Sequence, residues 1–283
     1  MGKRGDCIKA GFVQFYIFTI TMSVKSKLQK IPFEFVTDFL GVAAFLACVA
    51  CNGNSSISFS DESIYDAEKN TLTDLRDGQV YRTTFIAPEG TGYSKVWMAE
   101  NLNYRYNLKS VNGGLADTSS YCVYNDPEKC KKLGRLYTWP AAMDSAALFS
   151  SDGKGCGYTR DCKAREVVRG VCPKGWHLPS MEEFEALLKA VGGSSVAALK
   201  LKAASDWTEN GNGSDAFGFA ALPAGFRDAD GHFGFQDSSA YFWSTTEVYF
   251  ANSYFMDMYF RNTSADILGD NKDIAFSVRC IKD

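Results

Sequence analysis

The chain has 283 residues, with 30 Lys and Arg against 33 Asp and Glu, a formal charge of −3 and a pI near 5.6. That length can bury the core of one large domain or two small ones, and the acidic balance excludes the basic stripe that a nucleic-acid module needs. Hydrophobic residues at 46% and charged residues at 22% give a globular composition, while nine cysteines point to an oxidising compartment.

The first 51 residues read as an address. Residues 39–50, FLGVAAFLACVA, form a twelve-residue apolar run. A membrane-spanning helix needs roughly twenty, so the run fits the apolar region of a secretory signal instead. Lys25, Lys27 and Lys30 supply the positive segment before it, with Glu34 and Asp38 in between. The run ends at Ala50-Cys51, and a polar stretch follows. This arrangement resembles a bacterial lipoprotein signal, with Cys51 as the lipidated residue and Cys48 as an overlapping alternative; a plain cleaved signal is the other reading. Met22 looks like the natural start, which makes 1–21 a start-site extension. Segment 1–51 holds six of the basic and three of the acidic residues, so the remainder has 24 against 30 and a net charge of −6. That charge disfavours polyanionic partners.

Residues 52–72 are polar and read as a flexible spacer, leaving 73–283 as one domain. Val80–Ile86 and Lys95–Ala99 are β-branched and aromatic, hence strands. Tyr137–Phe149 is rich in alanine and carries Pro140 near its start, which predicts a helix. Ser180-Met181-Glu182-Glu183 is a capping box, and Phe184, Leu187, Leu188 and Val191 then share one helical face until Gly192-Gly193. Residues 216–262 hold 14 aromatics in 47 positions, a density that favours sheet. Tyr254, Met256, Met258 and Phe260 alternate with Phe255, Asp257 and Tyr259, and Ile274–Cys280 reads as the last strand. Helices in the first half and strands in the second describe an α+β domain with a mixed, mainly antiparallel sheet.

Six cysteines fall in this domain, and six allow fifteen pairings. Cys122 with Cys130 and Cys156 with Cys162 would each close a short loop, which leaves Cys172 to staple to Cys280. Metal ligation is not expected, because C-x₂-C and His spacings are absent.

Several segments, in order, carry a family resemblance: DLRDGQVYRT (74–83), VWMAENLNY (96–104), GRLYTWPAAM (134–143), VCPKGWHLPSMEEFEALLKAVGG (171–193), FGFAALPAGFRDADGHF (217–233), YFWSTTE (241–247) and FSVRCIKD (276–283). From Asp74 to the C-terminus, about 210 residues, the chain resembles the Fibrobacter succinogenes major paralogous domain family. The resemblance implies exported, often lipid-anchored bacterial surface proteins with no established reaction. It also implies a fold similar to the C-type-lectin-like group, which includes the formylglycine-generating-enzyme-like branch. One fold hosts many activities, so function has to come from the residues.

Those residues show no catalytic pattern. His177, between Trp176 and Leu178, reads as a hydrogen-bonded structural histidine, and Trp97, Trp139 and Trp176 read as core. Asp228 and Asp230 could open a calcium loop, but the remaining ligands of that pattern are missing, so no metal or cofactor is expected. The expected function is a non-catalytic surface binding module with carbohydrate as the leading ligand class. Its face would come from the loops between 225 and 262, with Arg227, Asp228, Asp230, Trp243, Glu247, Asn252 and Tyr254 as ligand-binding residues. Arg227 and Glu247 as an ion pair with the aromatics in the core is the structural alternative. A protein-binding adhesin or envelope component is the second functional reading. An enzyme of formylglycine-generating type or a hydrolase is the third.

Overall fold

A computed structural model describes residues 60–107 and 119–283. The leader, with Cys48 and Cys51, lies outside the described residues, as does the first part of the spacer. In chain order the strands of the first half are β1 (Ser63–Asp66), β2 (Thr71–Asp74), β3 (Gln79–Ile86), β4 (Lys95–Met98), β5 (Ser120–Tyr121), β6 (Leu136–Thr138) and β7 (Trp176–His177). The second half adds β8 (Phe226–Arg227), β9 (Phe233–Gly234), β10 (Ser239–Tyr249), β11 (Asn252–Tyr259), β12 (Ala265–Asn271), β13 (Ala275–Ser277) and β14 (Ile281–Lys282). The α-helices are α1 (Pro127–Leu133), α2 (Trp139–Ala142), α3 (Met181–Ala190) and α4 (Ser194–Leu201).

These elements build two sheets. A six-stranded sheet runs β1-β2-β3-β4-β14-β7, and an eight-stranded sheet runs β12-β11-β10-β13-β6-β5 with the β8–β9 hairpin attached to β13. Every pairing is antiparallel except β10 with β13. The domain is therefore mixed α+β and rich in sheet, but helices and strands are not segregated as the sequence suggests. A meander of four strands opens it. β1 falls within the segment read as spacer: Ser63–Asp66 pairs with Thr71–Asp74, and the buried Leu72 and Asp74 explain why so polar a stretch is ordered.

Helix α3 begins where the capping box places it. Ser180 Oγ accepts from the Glu183 N–H (3.2 Å), and the Glu183 carboxylate accepts from the Ser180 N–H (3.0 Å). Its apolar face, Phe184, Leu187, Leu188 and Val191, packs with Trp97, Phe219, Phe242 and Met256 in one core. A second core gathers Trp139, Trp176, Trp243, Phe255 and Phe276. The eight-stranded sheet divides the two: Phe242 and Met256 face one, Trp243 and Phe255 the other.

Two elements are shorter than their sequence promises. The helix expected over Tyr137–Phe149 stops after Ala142. Asp144 turns the chain with φ +53°, and its carboxylate accepts from the N–H groups of Leu148, Phe149 and Ser150 and from the Tyr106 hydroxyl. An aspartate that takes local backbone donors competes directly with helix. The last strand is split: Ala275–Ser277 belongs to the larger sheet and Ile281–Lys282 to the smaller, so the chain crosses between sheets at Val278–Cys280.

The three disulfides are Cys122–Cys130, Cys156–Cys162 and Cys172–Cys280. The last closes a separation of 108 residues at the crossing point. Unfolded-state constraint grows with loop length, so replacing Cys172 and Cys280 by serine is expected to cost about 4 kcal/mol, against about 2 kcal/mol for Cys156 and Cys162. Denaturant unfolding of the two double variants checks the order.

Candidate functional site

The seven ligand-binding residues expected from the sequence separate into three places. Trp243 is fully buried. Its ring centre lies 4.4 Å from that of Phe276, and its Nε1 donates to the Tyr137 carbonyl (2.8 Å). It is a core residue, not a binding residue, because the neighbouring β11 and β13 place Phe255 and Phe276 against its face.

Glu247 also has a structural partner, though not Arg227. The fully buried Lys272 donates to Glu247 Oε1 and to the Phe250 carbonyl (2.8 Å), with its ammonium 4.5 Å from the centre of the Trp139 ring. The other oxygen, Glu247 Oε2, accepts from the Cys162 N–H (3.0 Å). This pair ties the loop closed by Cys156–Cys162 to the sheet. Asn252 and Tyr254 sit on β11, opposite Asn271 and Gly269 of β12, with β10 between them and the strand that carries the β8–β9 hairpin.

Arg227, Asp228 and Asp230 share that hairpin. Arg227 opens it, and its guanidinium lies 3.9 Å above the centre of the Tyr121 ring, at cation–π distance. Nη1 also donates to the Asp228 carbonyl (3.3 Å). Gly231, at φ +94°, lets the turn pass under this side chain: a Cβ there would stand 3.1 Å from Arg227 Nη2. Asp228 Oδ1 accepts from the His232 N–H (2.8 Å), and the two side chains approach to 3.7 Å. Asp230 is exposed at the tip.

Residues from far earlier in the chain complete this face. Tyr121, on β5, lies under Arg227, and its buried hydroxyl has no hydrogen-bond partner among the described residues. Tyr124 is 56% exposed and meets Phe233 edge-on, with ring centres 5.3 Å apart. The turn that lifts Tyr124 out has φ +54° and is closed by the Cys122–Cys130 bridge. The face thus offers an exposed aromatic ring, a guanidinium, two carboxylates and an imidazole. It can stack a flat apolar surface and exchange hydrogen bonds beside it. The paired cysteines around an Asn125-Asp126-Pro127 turn were the only sequence signal for Tyr121 and Tyr124.

Two further titratable groups are structural. His177 Nδ1 lies 2.6 Å from Asp283 Oδ1 and Nε2 3.0 Å from Glu183 Oε1, so both ring nitrogens are engaged. Burial opposes its charge, but the two carboxylates outweigh burial and raise its pKa. Asp257, on β11, stands directly opposite Asp266 of β12. Burial, with the Asp266 charge adding to it, pushes Asp257 up to about 6.

A family model described as Fibrobacter succinogenes major domain matches residues 93–282. The match takes in β4 to β14 and leaves β1 to β3 outside. No curated protein and no solved structure matches the chain.

A carboxyl whose pKa is raised on folding binds its proton more tightly in the folded state, so stability falls as pH rises from about 4 through about 6. Asp257→Asn is expected to remove that fall. The variant should gain on the order of 2 kcal/mol over the parent at about pH 8 and nothing at about pH 3.5, read from urea unfolding at both pH values.

Proposed function

The chain belongs to the Fibrobacter succinogenes major domain family, and on that premise we propose that it is an exported, lipid-anchored surface protein with a C-type-lectin-like domain that binds carbohydrate without catalysing a reaction. The observation that carries this reading is the β8–β9 face. There the exposed Tyr124, packed on the half-buried Phe233, stands beside Arg227, Asp228 and His232. Sugar rings present an apolar face with hydroxyls at its edge, and a site for them combines an aromatic platform with a few placed polar groups. Arg227 is held by Tyr121 below and its own hairpin beside, so little side-chain freedom is lost when it meets a hydroxyl. Three disulfides support the export reading, since such bonds persist in oxidising compartments.

A protein ligand is the second reading. It is favoured by Val248, Tyr249 and Phe250, exposed together at the tip of the β10–β11 hairpin.

A glycan array probed with the full chain tests the first reading. Binding to a polysaccharide class is expected, with Tyr124→Ala weakening it about tenfold, the loss of roughly 1.4 kcal/mol typical of a stacking residue at an interface. An array without any hit, or hits indifferent to Tyr124→Ala and Arg227→Ala, would remove this face from consideration. For the anchor, metabolic labelling with a fatty-acid analogue should mark the parent and not Cys51→Ser; label retained by Cys51→Ser and lost by Cys48→Ser would move the lipid to Cys48.

A further inference from the structure

The eight-stranded sheet ends on β12, which pairs with β11 on one side only. In an antiparallel strand alternate residues direct N–H and C=O away from the partner. Along Ala265–Asp270 no backbone hydrogen bond satisfies that outer side among the described residues, and at the end of the strand the Asn271 carbonyl accepts from the Ile274 N–H (3.2 Å). Sheet edges are usually closed by proline, charged side chains, a bulge or a covering segment, and the charges here, Asp266 and Asp270, repel an acidic strand but not a basic one. This strand keeps a regular register over all seven residues, has neither proline nor lysine, and exposes Leu268 at its centre. It is an open template for one more strand.

Side-chain chemistry around the edge narrows what that strand is. A cavity of about 350 Å³ opens beside the first half of β12, against helices α3 and α4. Leu188 and Ile267 give it apolar wall, and Glu185, Asp266, Ser194 and Lys189 give it polar rim. Asp266 and Asp270 alternate with Leu268 along the strand, and Asp257 stands opposite Asp266. Strands β10, β11 and β12 contain no lysine or arginine. Lys272, which follows β12, is buried and already paired with Glu247. Among the described residues that line the cavity, Lys189 is therefore the one cation, against Glu185 and Asp266.

A second copy of this chain is a poor occupant. Antiparallel pairing of two β12 strands about a two-fold axis at Leu268 would set Asp266 of each copy against Asp270 of the other. Like charges directly opposite destabilise a strand pair.

We infer that β12 is the docking edge for an extended, basic segment of another protein, which adds to the sheet as a further strand. Main-chain hydrogen bonds hold it, and alternate lysine or arginine side chains meet Asp266 and Asp270. The intervening side chains of the added strand turn to the opposite face, where Leu188 and Ile267 offer apolar wall. This edge uses none of the residues of the β8–β9 face, so a failed carbohydrate reading leaves it standing.

The test titrates the full chain with a labelled nonapeptide of alternating lysine and valine. Two controls accompany it: the same peptide with glutamate for lysine, and the same peptide N-methylated at alternate residues so that it cannot donate along one side. The lysine peptide is expected to bind at least about tenfold more tightly than either control, and to slow amide exchange within residues 265–271. Asp266→Asn with Asp270→Asn should weaken it about tenfold at a melting temperature no lower than the parent's. Equal binding of the N-methylated peptide would mean charge attraction without strand addition and would overturn the proposal. Protection confined to other strands would overturn it too, as would sedimentation showing a dimer of the unliganded chain that Leu268→Lys dissociates.

Discussion

Arg279 is the constraint on which the packing of this domain depends. Its guanidinium is fully buried and has no carboxylate in contact among the described residues. Nε donates to Asn101 Oδ1 (2.7 Å), Nη1 to the carbonyls of Met98 (3.3 Å) and Phe219, and Nη2 to the carbonyl of Ala220 (2.9 Å). Its charged plane also lies 4.7 Å from the Phe219 ring centre and 5.4 Å from that of Phe242. Burial pushes its pKa down to about 9, which leaves the group charged at neutral pH. An ion taken out of water costs several kcal/mol unless dipoles replace its hydration. Here backbone carbonyls from two distant segments do so, which means that those segments must hold one conformation for the charge to be tolerated at all.

That requirement propagates outward. To aim its carbonyl at Arg279, Ala220 adopts φ +48°, and its N–H is taken up by Asp215 Oδ1 (2.7 Å). Asn101 is held in turn, donating from Nδ2 to the Leu133 carbonyl (2.7 Å) and Ser277 Oγ (3.2 Å). Gly134 passes close by, where a Cβ would stand 2.6 Å from the Asn101 Cβ. The segments AENLN, KLGR, GFAAL and SVRC, spread between positions 99 and 280, thus converge on one cation. Cys280, the next residue, is bonded to Cys172, so the crossing between the two sheets is fixed covalently beside the point where it is fixed electrostatically.

The parts of the fold legible in the sequence are those set by local chemistry. The capping box, the apolar stripe of α3 and the short cysteine loops depend on residues within about a dozen positions of one another, and the structure places them as read. The failures share an opposite cause. The polar run after Trp243 suggests exposure, yet the tryptophan's surroundings are decided by Phe276 on a strand that arrives last. The alanine-rich segment after Pro140 has helix propensity, but Asp144 offers its carboxylate to the backbone and to Tyr106, 38 positions earlier. On β11 the alternation breaks between the buried Phe255 and Met256, because the strand lies between two cores and has no solvent face at its middle. Of the expected binding residues, the hairpin trio was legible from its own turn. Tyr121 was not, because its partnership with Arg227 spans more than a hundred positions.

The same distribution of constraint separates scaffold from surface. Arg279, Lys272 and His177 are each surrounded by their own partners and hold distant segments of the chain together. Arg227 differs. It rests on Tyr121 and its own turn and, among the described residues, makes no ion pair and stands on a hairpin that shares no hydrogen bond with the Arg279 network. Edge strand β12 is independent of that network as well, since its pairing is to β11 alone. Substitution at the hairpin or at the edge changes what the surface presents without reopening the carbonyl shell around Arg279. A domain whose buried cations hold its own segments in place presents its recognition chemistry on such outlying elements.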